Sequence, residues 1–130
     1  MIYLTEEELI AINELVIKQA NGQSIGVQYP QGLDLVVNQP KQVVFGQELY
    51  PNVWIKAAFI IQKITKKHIF VDGNKRTALL SGLTFLSING IELNFATDEG
   101  EQLILGVTNS IDSDEIMVTL AEWLKKHAKV

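Results

Sequence analysis

Apolar and polar positions along this chain alternate with a helical period. Leu9, Ile12 and Val16 recur at helical spacing behind Thr5-Glu-Glu-Glu8, a threonine three residues before a glutamate, which is the capping-box pattern. Leu4 and Leu9 hold the two staple positions that flank such a start. A helix is therefore predicted from about Thr5 to Gln19, ended by Asn21-Gly22. The stretch through Pro30 and Gly32 carries turn residues and little periodicity. Leu33 to Asn38 is apolar enough for a short helix stopped before Pro40. Phe45 to Tyr50 reads as a connector with an extended or flap-like tip.

Pro51 suits a first helical turn. Trp54, Ala58, Ile61 and Thr65 then form one stripe, widened by Ile55, Phe59 and Ile64. This helix should run from Pro51 to Lys67, with lysines at the negative end of its dipole and His68 where it finishes. A further helix should begin near Asp72 or Gly73 and end at Asn89, with Gly90 beyond it. It is apolar on most sides, so it is predicted to be the central, buried helix. Ile91 to Phe95 is a short extended connector. Thr97 should cap a helix to about Thr108, and Ser113 a last one whose inner face is Ile116, Leu120 and Trp123. No strand pattern lasts beyond a few residues. The fold class is all-α, about six helices in a single domain over residues 1–130.

Composition narrows the function. A hydrophobic fraction of 47% fits a packed globular chain. The chain has no cysteine, and its start lacks the basic and apolar regions of a signal peptide. These features point to a cytoplasmic protein without a membrane span. The net charge of −4 argues against a general nucleic-acid binder. Positive charge is nonetheless clustered at Lys63, Lys66, Lys67, Lys75 and Arg76, which suits a small phosphorylated ligand. The second cluster, Lys125, Lys126 and Lys129, reads as helix-end and tail charge, and His127 as part of a frayed C-terminus.

The chemistry is concentrated in His68-Ile-Phe-Val-Asp72-Gly-Asn-Lys-Arg76. A helix N-terminus offers unpaired N–H groups and a positive dipole end to an anion. Gly73 permits a tight turn and a close phosphate. Lys75 and Arg76 would add charge-assisted hydrogen bonds. His68 is close enough to act as general base on a hydroxyl. Asp72 could hold a divalent ion that bridges phosphates, or orient a neighbour. Phe70 reads as an anchor that fixes the loop. Two distant histidines and no cysteine argue against a zinc site and favour magnesium carried in with a nucleotide.

These residues resemble the Fic/Doc family, whose signature is His-x-Phe-x-Asp/Glu-Gly/Ala-Asn-x-Arg. His68, Phe70, Asp72, Gly73, Asn74 and Arg76 all match it. Adenylyl-transferring members usually carry glycine where this chain has Lys75. Asn74-Lys-Arg-Thr-Ala78 and Phe85-Leu-x-x-Asn-Gly90 resemble the Doc-like, death-on-curing branch. The likeness covers most of the chain and is weakest from Asn21 to Pro51. It implies a compact helical toxin that uses ATP and Mg2+ to phosphorylate a hydroxyl of elongation factor Tu and so stops translation. On that resemblance His68 and Asp72 are catalytic, Asp72 touches the metal, and Gly73, Asn74, Lys75 and Arg76 bind the phosphates. The ammonium of Lys75 would fill a subsite that otherwise takes a nucleotide phosphate, so the nucleotide would bind reversed and present its γ-phosphate to His68.

Tyr29-Pro30 stands where Doc-like relatives commonly have Asp-Pro, and the family also takes alanine at the Gly73 position, a mild difference. The self-inhibitory pattern Ser/Thr-x-x-x-Glu-Gly/Asn is missing, because Phe95 precedes Glu99-Gly100 at the required spacing. Inhibition is expected from a separate antitoxin. The competing readings are a Fic-type adenylyltransferase, a catalytically silent binding module and a helical DNA-binding domain.

Overall fold

A computed structural model describes residues 1–129. In chain order these form α1 (Glu6–Gln19), α2 (Pro30–Asn38), a 3-10 turn (Gln39–Lys41), the paired strands β1 (Val43–Val44) and β2 (Gln47–Glu48), α3 (Val53–Lys67), α4 (Asn74–Ile88), α5 (Thr97–Thr108) and α6 (Asp114–Lys126). The all-α reading holds, with one small hairpin where a flap-like connector was expected.

Local signals explain most helix ends. Thr5 Oγ1 accepts from Glu8 N–H at 3.1 Å while Glu8 Oε1 accepts from Thr5 N–H at 3.0 Å, closing the capping box. Both staple leucines, Leu4 and Leu9, are buried beside it. α2 starts three residues before its apolar pattern does, because Pro30, with fixed φ and no N–H, suits a first turn. Pro40 does not end the helical path at once; it is buried inside the 3-10 turn. Asn52 caps α3 by accepting from Ile55 N–H at 3.0 Å, which leaves Pro51 outside the helix rather than in its first turn. Thr97 likewise is not a cap: it lies inside α5, and the cap position is Ala96, whose N–H donates to Glu99 Oε1 at 2.9 Å. Ser113 does cap α6. Beyond α4, Gly90 at φ 85° donates to Ser87 O and Ile91 donates to Leu86 O, which is the Schellman closure.

The central helix is α3, not α4. It touches α2, α4, α5 and α6, and the run from Lys56 to Gln62 is buried without interruption. Leu79, Leu80 and Leu83 of α4 are only partly buried. α4 reads as apolar on most sides, but small residues of α4 let α3 sit deeper. Gly82 of α4 lies where a side chain would run into Ile61, so the two helices pack closely.

Lys56 is buried inside this core. Its Nζ donates to Pro40 O at 2.6 Å, pairs with Glu48 Oε1 at 3.1 Å and lies 5.5 Å from the Tyr3 ring centre. It thus ties the hairpin base to α3. The hairpin turn places Phe45 and Gly46 both at positive φ, the twist favoured for two-residue turns, and Phe45 is fully exposed. His127 and Ala128 are packed rather than frayed. The His127 ring stacks on Trp123 with centres 3.9 Å apart, and Ala128 bridges to Leu93. Among the described residues no helix is long and apolar enough to cross a membrane.

Candidate active site

His68 ends α3 in the left-handed region, at φ 50° and ψ 55°. Few residues other than glycine adopt this conformation without support from neighbours. The support comes from the segment Gly26–Tyr29, which lies along the loop after α3. The N–H groups of Gln28 and Tyr29 donate to Ile69 O at 2.9 and 3.1 Å, and Val71 N–H donates to Gly26 O at 3.0 Å. Gln28 Nε2 also donates to His68 O at 2.9 Å. A stretch with little periodicity in sequence therefore holds the loop that carries the motif. Tyr29 supplies a backbone N–H at that point.

Inside the loop, Phe70 is fully buried, as its anchoring role requires. Asn74 folds back on it: Oδ1 accepts from Phe70 N–H at 2.9 Å and Nδ2 donates to Phe70 O at 2.8 Å. One donor and the acceptor oxygen of the carboxamide thus hold the loop, and the backbone N–H of Asn74 is left without a protein acceptor among the described residues. Asp72 is exposed, and its Oδ1 accepts from Gly73 N–H at 2.7 Å. Gly73 sits at φ 72°, and a Cβ there would come within 2.8 Å of Ile17 Cδ1.

Past Gly73, α4 begins without a side-chain cap. Thr77 N–H to Gly73 O, at 2.9 Å, is the first bond of the helix, and the N–H groups of Asn74, Lys75 and Arg76 find no acceptor among the described residues. The starts of α1, α3 and α6 are all capped by side chains. Lys75 and Arg76 are exposed, and neither enters an ion pair among the described residues. Two cations in the first turn oppose the dipole, so this end of α4 is configured for an anion. His68, Asp72, Gly73, Asn74, Lys75 and Arg76 all line one cleft of about 480 Å³, walled by Val16, Ile17, Val71 and Thr108.

The other basic residues do not join it. Lys63 and Lys67 reach Asp112 at 2.6 and 3.4 Å, and Lys66 Nζ donates to Thr108 O at 2.9 Å. They clamp the α5–α6 turn to the end of α3. Burial opposes ionisation of Asp112, but the two lysines outweigh it and hold its carboxyl below the usual value. Among the described residues no three His, Cys, Asp or Glu side chains form a metal-binding group. Asp72 is the one carboxylate lining the cleft among the described residues, and it would be the residue to hold a hard divalent ion there.

Two contributors had no motif to mark them. Gln28 lies in a loop with no pattern. Asn13 sits on the buried face of α1 between Leu9 and Val16, and is 1% exposed. Its Nδ2 donates to Asp72 O at 2.9 Å and to Thr77 Oγ1 at 3.1 Å. A polar residue inside an apolar helical stripe was the only available signal.

Comparison with known proteins identifies the family. Residues 3–86, from before α1 into α4, match the profile of the Fic/DOC family. The chain is 38% identical over 122 residues to Toxin Doc of Mycolicibacterium smegmatis, covering 92% of this chain and 91% of that protein. It is 28% identical over 120 residues to Protein kinase doc of Escherichia phage P1, covering 92% of this chain and 94% of that protein. With the profile spanning more than half of its length and the relatives matched almost end to end, the chain belongs to the Fic/DOC family.

Proposed function

We propose that this chain is a Doc-type toxin kinase, transferring the γ-phosphoryl group of ATP to a hydroxyl of a protein target in the cytoplasm. One observation carries the reading: the uncapped, doubly cationic start of α4 shares a cleft with the imidazole of His68. The names of the two relatives, a toxin and a protein kinase, support it. The resemblance further implies elongation factor Tu as target and a separate antitoxin as inhibitor.

In this mechanism His68 takes the proton of the attacking hydroxyl. The hydroxyl oxygen bonds to the γ-phosphorus, the bond to the β-phosphate oxygen breaks, and ADP leaves. The N–H groups at the start of α4, with Lys75 and Arg76, hold the phosphate oxygens and neutralise their charge. Mg2+, touching Asp72, would supply further charge neutralisation across the phosphates.

ATP labelled at the α- or the γ-phosphate tests the proposal directly. Label should reach protein from the γ position alone; transfer from the α position means adenylyl transfer, and transfer from neither means a silent binding module. His68→Ala should lower γ-label transfer about 10²- to 10⁴-fold, the usual contribution of a positioned base, with ATP binding retained in calorimetry. Unchanged transfer would remove His68 from the role of base.

A further inference from the structure

We infer that Asn13 is a positioning residue for the anion-binding loop, and that it works by fixing the orientation of a single peptide group, the one between Asp72 and Gly73. The inference rests on the phosphate-binding reading above. Asn13 makes no contact with the cleft itself; its lining residues on α1 are Val16, Ile17 and Ala20. Its role is exerted from behind.

The geometry is as follows. All peptide bonds among the described residues are trans, so the C=O and N–H of one peptide unit point in opposite directions. Asn13 Nδ2 takes the C=O of Asp72 at 2.9 Å from the buried, α1 side. The N–H of Gly73 must then point away from α1. It does, toward the solvent side, where the carboxylate of Asp72 accepts it at 2.7 Å. The Gly73 N–H is thus presented to an anionic oxygen, next in sequence to the N–H groups of Asn74, Lys75 and Arg76, which have no acceptor among the described residues.

This orientation is not self-maintaining. Gly73 is at φ 72°, and glycine populates alternative backbone regions at little cost. The 72–73 peptide is therefore the most easily turned unit of the loop, whereas Phe70 is pinned on both its N–H and its C=O by Asn74. A turn of the 72–73 peptide would aim a carbonyl oxygen at the anion and remove a donor. The second bond of Asn13, to Thr77 Oγ1 at 3.1 Å within the buried interior, ties the same carboxamide to the first turns of α4. Both donor hydrogens of Asn13 are thereby used, and the loop and the helix are referenced to one fixed point on α1.

The two bonds separate structure from function. Thr77→Val removes the anchoring bond and leaves the bond to Asp72 O. Asn13→Leu keeps a side chain of similar size and removes both. Binding of Mg·ATP and of inorganic tripolyphosphate is measured by calorimetry for wild type and both variants, with thermal unfolding alongside. Asn13→Leu should weaken both ligands tenfold or more, while Thr77→Val, although less stable, should bind within twofold of wild type. In steady-state transfer, Asn13→Leu should raise KM for ATP and leave KM for the protein substrate unchanged. A loss of less than tenfold in Asn13→Leu, or an equal loss in Thr77→Val, overturns the inference. If Asn13→Leu does not fold, the wild-type protein decides: in a 15N-resolved titration with tripolyphosphate, the Gly73 amide should shift as strongly as those of Asn74 to Arg76, and a stationary Gly73 signal overturns it. Failure of wild type to bind either ligand would instead overturn the phosphate-binding reading on which the inference rests.

Discussion

At the scale of single residues, Gly73 shows how a motif position can be recognised without its constraint being visible. The resemblance drawn from the sequence treats glycine and alanine as interchangeable at this position. In this chain they are not, because the left-handed backbone and the Ile17 methyl 2.8 Å from a would-be Cβ both oppose a side chain. Gly73→Ala should lower stability by about 1–2 kcal/mol, the cost of placing an L-residue in that region, and more if Ile17 cannot shift. Urea unfolding would check it, and a loss near zero would show that the loop relaxes. The motif residues themselves were legible, since fixed types at fixed spacing need no tertiary information. The division of labour among them was not. Nothing in Asn74-Lys75-Arg76 says that the carboxamide turns back to Phe70 while the two cations stay free. That distinction depends on where the loop closes in space.

At the scale of elements, capping chemistry located α1 and α6 closely because the capping side chain is adjacent in sequence to the N–H it serves. It misled at α5, where Thr97 was a plausible cap and a glutamate further along serves instead. The lysines near the end of α3 are the larger lesson. They were read with the ligand site, and two of them are held by Asp112, more than 40 residues away in sequence. Local patterns cannot report a partner on another element. The clamp makes a pH-dependent prediction. Since the carboxyl of Asp112 lies below its usual value in the folded chain, its stabilisation is complete above the unfolded pKa, about 3.9, and is lost as pH falls through the folded value. Asp112→Asn should therefore cost about 0.5–1 kcal/mol at neutral pH, as for a partly solvent-screened pair, and progressively less as pH falls below the unfolded pKa. Thermal unfolding across that range would show whether the two proteins converge; a constant difference would assign the effect to packing.

At the scale of the molecule, the site depends on three separate stretches: the end of α1, which walls the cleft, the Gly26–Tyr29 segment, which braces the motif loop from outside the cleft, and the loop from His68 to Arg76, with Thr65 and Thr108 completing the wall. The first two lie before the hairpin and the third after it. The hairpin turn is open, with nothing within 4 Å of where a Gly46 side chain would stand. A cut between Phe45 and Gly46 therefore yields two fragments, 1–45 and 46–130, each lacking part of the site. Separately neither should transfer label. Mixed or co-expressed, they should reunite, because α1 and α2 have apolar faces that α3 and α4 cover in the intact chain. Recovery of γ-label transfer only with both halves present would check this, and activity in fragment 46–130 alone would refute it. The exposed turn thus makes the protein divisible into two harmless parts, a toxin that could be armed by bringing two chains together.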